Sequence, residues 1–269
     1  MALMTCHIYS SILQRNTEIF VIIPTPEGNE QITDKTTVEQ YHYKTGLPVL
    51  YLLHGAYGDA SSWIRNSCIE RYAQQHRCCV VTASCGNNFY QDTEHGDRYE
   101  TFFTEELPGL IQNLFPVSRE RKDTCIAGFS MGGYGAWFLA LRHPQLYAKA
   151  ASMSGALDIA RTYRQVKDKT ISGPFPWNQI FHDPEKLEGS SCDLLTLYQN
   201  CRKEGTIPEL YQTCGTEDFL YNMNLDIRDR LLSLGSDHIY TEAPGGHDWN
   251  YWDYHIRAIM DWMFNREKS

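Results

Sequence analysis

The segment Gly128-Phe129-Ser130-Met131-Gly132 lies between an apolar run at residues 124–127 and a helix-forming stretch that begins at Gly133. A chain that passes from a strand into a helix over so few residues must turn sharply, and small residues are needed where its backbone is cramped. Such a turn projects the Ser130 hydroxyl to where a base can reach it. The following helix directs its N-terminal N–H groups at an oxygen that gains negative charge. The pattern therefore predicts a strand–turn–helix unit with Ser130 as a candidate nucleophile.

Short β-rich runs alternate with helical patterns along the chain, which is typical of a mostly parallel sheet with helices on both faces. Eight runs qualify as strands: residues 7–13, 18–23, 48–53, 79–83, 124–127, 148–153, 209–214 and 238–242. Amphipathic helical patterns cover residues 62–75, 99–114, 133–142, 223–234 and 249–265. A short polar turn joins the first two strands, and we expect them to pair antiparallel at the sheet edge.

One long connection, residues 156–208, interrupts this alternation and contains Gly173-Pro174-Phe175-Pro176-Trp177. We expect it to be irregular and to lie over the carboxyl ends of the strands, where open α/β sheets bind ligands. At 269 residues and 42% apolar content the chain can bury one large core, and no linker marks a second. We therefore expect one domain, 1–269, with a cap over 156–208.

Charge and cysteine usage exclude several classes of partner. A net charge of −9 without a basic run disfavours nucleic acid and anionic membrane surfaces, which require clustered Lys and Arg. Nine cysteines, an odd number without a C-x-x-C pair, are typical of reduced thiols in a cytoplasmic protein. Residues 1–10 have neither the basic start nor the apolar stretch of a signal peptide, and no apolar run is long enough to span a membrane.

The base that would activate Ser130 should be a histidine late in the chain, after an acidic residue. His247 follows Pro244-Gly245-Gly246 in a predicted loop, whereas His238 falls in a predicted strand and His255 in a predicted helix. His247 is therefore the candidate base. The turn after the preceding strand supplies Glu217 and Asp218; we favour Asp218 as the acid that orients the imidazole, with Glu217 as the alternative.

A developing oxyanion needs two backbone donors. The turn His54-Gly55-Ala56-Tyr57-Gly58 follows a predicted strand, and its glycines allow the backbone to approach a substrate. We predict that the Met131 and Ala56 N–H groups form the oxyanion hole, with the Tyr57 N–H as an alternative to that of Ala56. Candidate pocket residues are the aromatic side chains Tyr57, Phe175, Trp177, Phe181 and Trp249.

Cofactor patterns are not found in the sequence. It contains no H-E-x-x-H motif, no Cys/His cluster at metal-ligand spacing, and no Walker or dinucleotide-binding glycine pattern. We therefore expect no metal and no cofactor.

Motifs spread over nearly the whole chain carry a resemblance to a known family. They are Leu52-Leu53-His54-Gly55-Ala56-Tyr57-Gly58, Trp63, Asp92, Gly96, Tyr99, Glu105-Glu106-Leu107-Pro108, Gly128-Phe129-Ser130-Met131-Gly132-Gly133-Tyr134-Gly135-Ala136, Cys214-Gly215-Thr216-Glu217-Asp218-Phe219-Leu220, and Gly246-His247-Asp248-Trp249 with Tyr251-Trp252. Together they resemble the tributyrin esterase branch of the esterase D and S-formylglutathione hydrolase group. The resemblance implies an α/β-hydrolase fold, hydrolysis of short-chain acyl esters, and catalytic roles for Ser130, Asp218 and His247.

The sequence does not determine the class of substrate. Feruloyl and acetyl-xylan esterases and bacterial mycolyltransferases are similar in fold to the same group, so an acylated carbohydrate is an alternative to a simple ester. A thioesterase or S-formylglutathione hydrolase, a peptidase, and a non-catalytic binding protein on the same fold are further alternatives. The sequence leaves the oligomeric state undetermined.

Overall fold

The computed structural model describes residues 1–26, 41, 43–93, 96–173 and 175–264. Within these ranges a single eight-stranded sheet has the order β1-β2-β4-β3-β5-β6-β7-β8. Its strands are β1 Ala2–Ser10, β2 Arg15–Ile23, β3 Val49–Leu53, β4 Cys79–Ala83, β5 Thr124–Phe129, β6 Lys149–Met153, β7 Glu209–Gly215 and β8 Ile239–Ala243. β2 pairs antiparallel with β1 and β4, and the remaining pairs are parallel. The predicted mostly parallel sheet with an antiparallel edge is confirmed.

The largest difference from the predicted strands is at the N-terminus. β1 ends at Ser10, and residues 11–14 form the turn to β2, with Gln14 in the left-handed region at φ 53°. The Glu106 carboxylate fixes this turn, because Glu106 Oε1 accepts hydrogen bonds from the Ser11 N–H and Oγ, both at 2.7 Å. A partner almost a hundred residues away cannot be read from the local apolar pattern.

The helices described by the structure are α1 Ser62–Asn66, α2 Ile69–His76, α3 Tyr99–Thr101, α4 Leu107–Leu114, α5 Met131–Arg142, α6 Ile159–Lys167, α7 Trp177–Ile180, α8 Leu194–Glu204, α9 Tyr221–Ser233 and α10 Trp249–Phe264. A π-helical turn, Phe102–Glu106, joins α3 to α4, so the predicted helix over 99–114 is continuous. The predicted helix over 62–75 is divided between α1 and α2, where the Cys68 N–H donates to the Asp253 carboxylate at 2.7 Å. Asn265, the predicted end of the last helix, and Pro174 lie outside the described residues.

The connection over 156–208 is more regular than expected. It contains α6, α7, α8 and a 3-10 turn, Pro184–Lys186, so the expectation of an irregular segment is wrong. Asp158 and Asp193 begin α6 and α8 by accepting hydrogen bonds from the N–H groups of Arg161 and Leu195. Gly205 ends α8 in the left-handed region at φ 73°.

Two apolar layers cover the sheet. One layer packs α2 and α10 against one face, and the other packs α4, α5 and α8 with the aromatic side chains of the long connection against the opposite face. Helix α5 is buried on all sides from Met131 to Leu141, since it lies between the sheet and α8. The Tyr134 hydroxyl donates to the Cys192 carbonyl at 2.8 Å and ties α5 to the chain just before α8. This burial fixes the N-terminus of α5 at the carboxyl edge of the sheet.

No helix in the described ranges is long and apolar enough to span a membrane.

Candidate active site

Ser130 occupies a strained turn between β5 and α5. Its backbone lies at φ 55° and ψ −121°, a region that a non-glycine residue enters only when the surrounding structure imposes it. The turn is closed so tightly that a Cβ atom at Gly132 would lie 2.5 Å from the His54 carbonyl oxygen. The Ser130 carbonyl accepts hydrogen bonds from the N–H groups of Gly133 and Ala156 at 3.0 and 3.2 Å. These contacts hold the Ser130 side chain outward and half-buried.

The structure brings Ser130, His247 and Asp218 into one hydrogen-bonded chain. The Ser130 Oγ and His247 Nε2 atoms are 3.0 Å apart, and His247 Nδ1 is 2.8 Å from Asp218 Oδ2. The Asp218 side chain is fully shielded from solvent, and its second oxygen accepts the Leu220 N–H at 2.8 Å. A buried carboxylate bonded to Nδ1–H leaves the other ring nitrogen free to accept the serine proton.

The alternative residues lie elsewhere. Glu217 is exposed to solvent, although it is adjacent to Asp218 in the chain. His238 is buried beside Ser236 and Trp137, and His255 stacks on Tyr251 with ring centroids 4.0 Å apart. Neither histidine is bonded to Ser130.

Backbone donors flank the serine hydroxyl. Within the described part of the chain, neither the Met131 N–H nor the Ala56 N–H has an acceptor. The Tyr57 N–H, the predicted alternative, instead donates to Asn87 Oδ1 at 2.9 Å. The two turns that carry the free donors are in contact, because a Cβ atom at Gly55 would lie 3.2 Å from Ser130 Cβ. Met131 and Ala56, whose N–H groups are free, line the same cavity as Ser130.

His54 holds the Ala56 donor in place. Its Nε2 accepts the Cys85 N–H at 3.0 Å, so Nδ1 carries the proton and donates to the Gly55 carbonyl at 2.7 Å. The peptide that links Gly55 to Ala56 is trans, so its N–H points away from the carbonyl that His54 holds. Burial lowers the pKa of His54 below its ordinary value of 6.5 and favours this neutral tautomer.

A cavity of about 440 Å³ opens above Ser130. Tyr57 and Trp249 line it, together with Ser130, Met131, Ala56, His247, Gly58, Ser62, Asn66, Phe89, Phe129, Ala156, Thr162, Ile171, Ser172, Phe175, Phe219, Leu220 and Trp252. Its wall is mostly apolar and aromatic, and the connection between β6 and β7 contributes Thr162, Ile171, Ser172 and Phe175. The cavity is therefore shared between the sheet turns and that connection.

Trp177 and Phe181 are not among these lining residues, which departs from the prediction. Both rings are buried and stack on each other, with centroids 5.5 Å apart. Phe175 and Phe89 form the wall in front of them, with the Phe89 ring 4.6 Å from Phe175 and 5.4 Å from Trp177. The apolar pattern of the connection indicated aromatic side chains near the site but not which of them faces the cavity.

Sequence reasoning also missed Asn224. It is fully buried, and its Nδ2 donates to the carbonyl oxygens of Gly155 and Leu220, each at 3.0 Å. Leu220 is the residue whose N–H holds the Asp218 carboxylate. The only sequence feature that pointed to this residue was a polar amide on the apolar face of the predicted helix over 223–234.

No cysteine is among the described residues that line the cavity with Ser130. All nine cysteines are free, and most are buried. Burial raises the pKa of Cys85 and of Cys125 to about 12, so both thiols stay protonated near neutral pH. Within the described residues, no three His, Cys, Asp or Glu side chains are grouped closely enough to hold a metal ion.

The sheet order, the turn after β5 and the cavity at the carboxyl edge define an α/β-hydrolase. A family model with the description "Putative esterase" matches residues 29–263, and the chain belongs to this esterase family. It is thus a carboxylic ester hydrolase of the serine esterase class, within the esterase D and S-formylglutathione hydrolase-like group.

Individual relatives match nearly the whole chain. An acetyl esterase of Caldicellulosiruptor saccharolyticus is 32% identical over 267 residues, which is 98% of both chains. FphF, a fluorophosphonate-binding serine hydrolase of Staphylococcus aureus solved with substrate bound, is 30% identical with a TM-score of 0.85, covering 98% of this chain and 99% of that one. The S-formylglutathione hydrolase FrmB of Staphylococcus aureus is 29% identical with a TM-score of 0.82 over the same shares.

Proposed function

We propose that Ser130, His247 and Asp218 are a catalytic triad that hydrolyses esters in two acyl-transfer steps. The observation that carries this proposal is the continuous chain from Ser130 Oγ to His247 Nε2 at 3.0 Å and from His247 Nδ1 to Asp218 at 2.8 Å. His247 takes the serine proton as Oγ attacks the ester carbonyl, and it returns that proton to the departing alcohol. Water then attacks the acyl-enzyme with the same base, which releases the acid and restores Ser130.

The free N–H groups of Met131 and Ala56 form the oxyanion hole in this proposal. These N–H groups have no acceptor within the described protein and are available to a substrate oxygen, and they stabilise the negative charge that develops there more than the uncharged carbonyl of the bound ester. The Tyr57 N–H is a weaker candidate, because Asn87 already accepts it. Neither a metal nor a cofactor takes part in these steps.

The acyl group is short, from acetyl to butyryl. A cavity of about 440 Å³ must hold both halves of the ester, and large rings such as Phe89, Phe175 and Trp249 restrict it. The acetyl esterase activity in the name of the 32% identical relative supports the same range, as does the tributyrin esterase resemblance. The alcohol is that of a small-molecule ester or an acylated carbohydrate. A feruloyl ester is the alternative acyl group.

Residues 156–208 act as a cap within a single α/β-hydrolase domain. Thr162, Ile171, Ser172 and Phe175 support this role, because they lie in the cavity wall opposite the sheet turns. A cytoplasmic location agrees with the nine unpaired cysteines.

The direct test is labelling by a serine-directed fluorophosphonate in wild type and Ser130→Ala, with p-nitrophenyl esters from acetate to decanoate assayed in parallel. The proposal expects stoichiometric labelling of wild type, none of the variant, and the highest kcat/KM for acetate to butyrate. Labelling of the Ser130→Ala variant would show that Ser130 is not the nucleophile. Methyl ferulate and acetylated xylan in the same panel distinguish the alternative esters, and a thioester and an aminoacyl substrate distinguish the other acyl transfers.

A further inference from the structure

Two exposed aromatic rings stand at the mouth of the cavity. Tyr57 is 73% exposed and Phe219 is 62% exposed, and both line the cavity that contains Ser130. Each directly follows a residue of the proposed machinery, since Tyr57 comes after Ala56 and Phe219 after Asp218. Rings of this size are normally buried, and an exposed pair beside a reactive group marks a surface for a ligand.

The Tyr57 ring has no role in the fold that would explain its place. Its backbone lies in the left-handed region at φ 63°, where a bulky side chain is strained and glycine or asparagine is relaxed. In the described part of the chain the ring has no aromatic or cationic partner, and the hydroxyl has no hydrogen bond. The backbone alone is tied down, through the Tyr57 N–H and Asn87. Strain and exposure together indicate that the side chain is kept for a bound molecule.

Phe219 lies beside His247, the residue that protonates the alcohol part of the ester in the proposed mechanism. Its ring centroid is 4.6 Å from that of His247. In the mechanism above, His247 Nε2 gives its proton to the alcohol oxygen as the ester bond breaks. A group attached to that alcohol oxygen would lie beside the imidazole, and Phe219 lines the cavity there.

We propose that Tyr57 and Phe219 form an alcohol subsite that stacks against a six-membered ring in the leaving alcohol of the ester. The subsite rests on the proposed esterase function and narrows it to esters of ring-bearing alcohols. Aromatic side chains present flat apolar faces to such rings, whether phenolic or pyranose. A linear alcohol such as ethanol would gain little from either side chain.

The experiment compares kcat/KM for three acetyl esters, phenyl acetate, a monoacetylated methyl xylopyranoside and ethyl acetate, in wild type, Tyr57→Asn and Phe219→Ala. Asparagine is chosen because it tolerates the left-handed backbone. We expect the ratio of each ring ester to ethyl acetate to fall about 3- to 10-fold in both variants, the range for one lost aromatic contact. Tyr254→Ala is the matched control, because Tyr254 is 74% exposed on α10 outside the cavity, and its ratios should equal those of wild type.

Unchanged ratios in both variants would overturn the subsite while leaving the esterase proposal intact. If the kcat/KM ratio to ethyl acetate falls for only one of the two ring esters, the subsite is specific for the ring of that ester, phenolic or pyranose. If the variants instead alter the ratio of ethyl butyrate to ethyl acetate, the rings belong to the acyl side and the proposal is wrong. Tyr57→Asn should also raise Tm by relieving strain, and a lower Tm would show that the ring serves the fold. Absence of hydrolysis for all acetyl esters in wild type would reject the esterase proposal itself.

Discussion

Gln212 and Asn224 form a fully buried amide pair beneath the candidate active site. Gln212 Nε2 donates to Asn224 Oδ1 at 3.0 Å and to the Asn224 carbonyl at 2.9 Å. Asn224 in turn donates to the loop after β6 and to the turn that carries Asp218. The pair thus connects the two loops on which Ser130 and Asp218 depend.

Asn224→Ala should lower the free energy of unfolding by about 2 kcal/mol or more. The substitution removes the side-chain donor of the buried Gly155 carbonyl and one of the two acceptors of Gln212 Nε2, and a buried polar group left unpaired costs about 1–3 kcal/mol. Urea denaturation measures the loss. Asn200→Ala, at an exposed position of α8, is the control and should stay within about 0.5 kcal/mol of wild type. Equal stabilities for the two variants would mean that the amide pair does not hold these loops.

Ser130→Ala should reduce kcat by about 10³-fold or more without unfolding the protein, because it removes only the attacking oxygen. His247→Ala should cause a loss of similar size, and the double variant should be little worse than either single one, since the two residues serve the same step. Steady-state kinetics on p-nitrophenyl acetate give all three values, with circular dichroism to check the fold. Additive losses would show that Ser130 and His247 act in separate steps.

Asp218→Asn should lower kcat strongly, whereas Glu217→Gln should have a mild effect. Asparagine cannot stabilise the imidazolium that forms when His247 takes the serine proton. Glu217 is the matched control, because it is the neighbouring carboxylate and points to solvent. Comparison of kcat for the two variants identifies the acid, and a larger loss in Glu217→Gln would assign that role to Glu217.

Phe175→Ala should raise the ratio of kcat/KM for ethyl octanoate to that for ethyl acetate, because removing a wall ring opens space for a longer acyl chain. Trp177→Ala should leave this ratio unchanged and instead lower the free energy of unfolding by about 3 kcal/mol or more, since its ring lies behind the wall and stacks on Phe181. Substrate kinetics and denaturation of both variants decide between these roles. A shift in the ratio for Trp177→Ala would restore the sequence-based assignment of that residue to the pocket.

Folding stability should fall as the pH drops below about 6.5. Burial lowers the pKa of His54, His238 and His255 below that ordinary value, so the unfolded chain binds more protons at acid pH than the folded one. His238→Gln should reduce the loss of stability between pH 7 and pH 5, measured by urea unfolding. A steeper dependence in His238→Gln would contradict the assigned direction.

The sequence predicted most of the sheet because its strands are short apolar runs bounded by turn residues. Phe175, Trp177 and Phe181 show where such reasoning ends: all three are apolar and close in sequence, and only packing against Phe89 selects the one that faces the cavity. The roles of His54 and Asn224 depend on partners distant in the chain, Cys85 and Gly155, so no local pattern contains them. By contrast, each triad candidate follows a strand, and the order of turns was enough to select it.

Ser130 and His247 are 117 positions apart, yet their side chains meet because the turns after β5 and β8 share one edge of the sheet. The intervening strands β6 and β7 must each pair in the correct register before that contact exists. A one-residue slip would turn every side chain of a strand to the opposite face. The serine–histidine contact therefore reports that β5, β6, β7 and β8 are assembled in register, and recovery of hydrolysis during refolding would time that assembly.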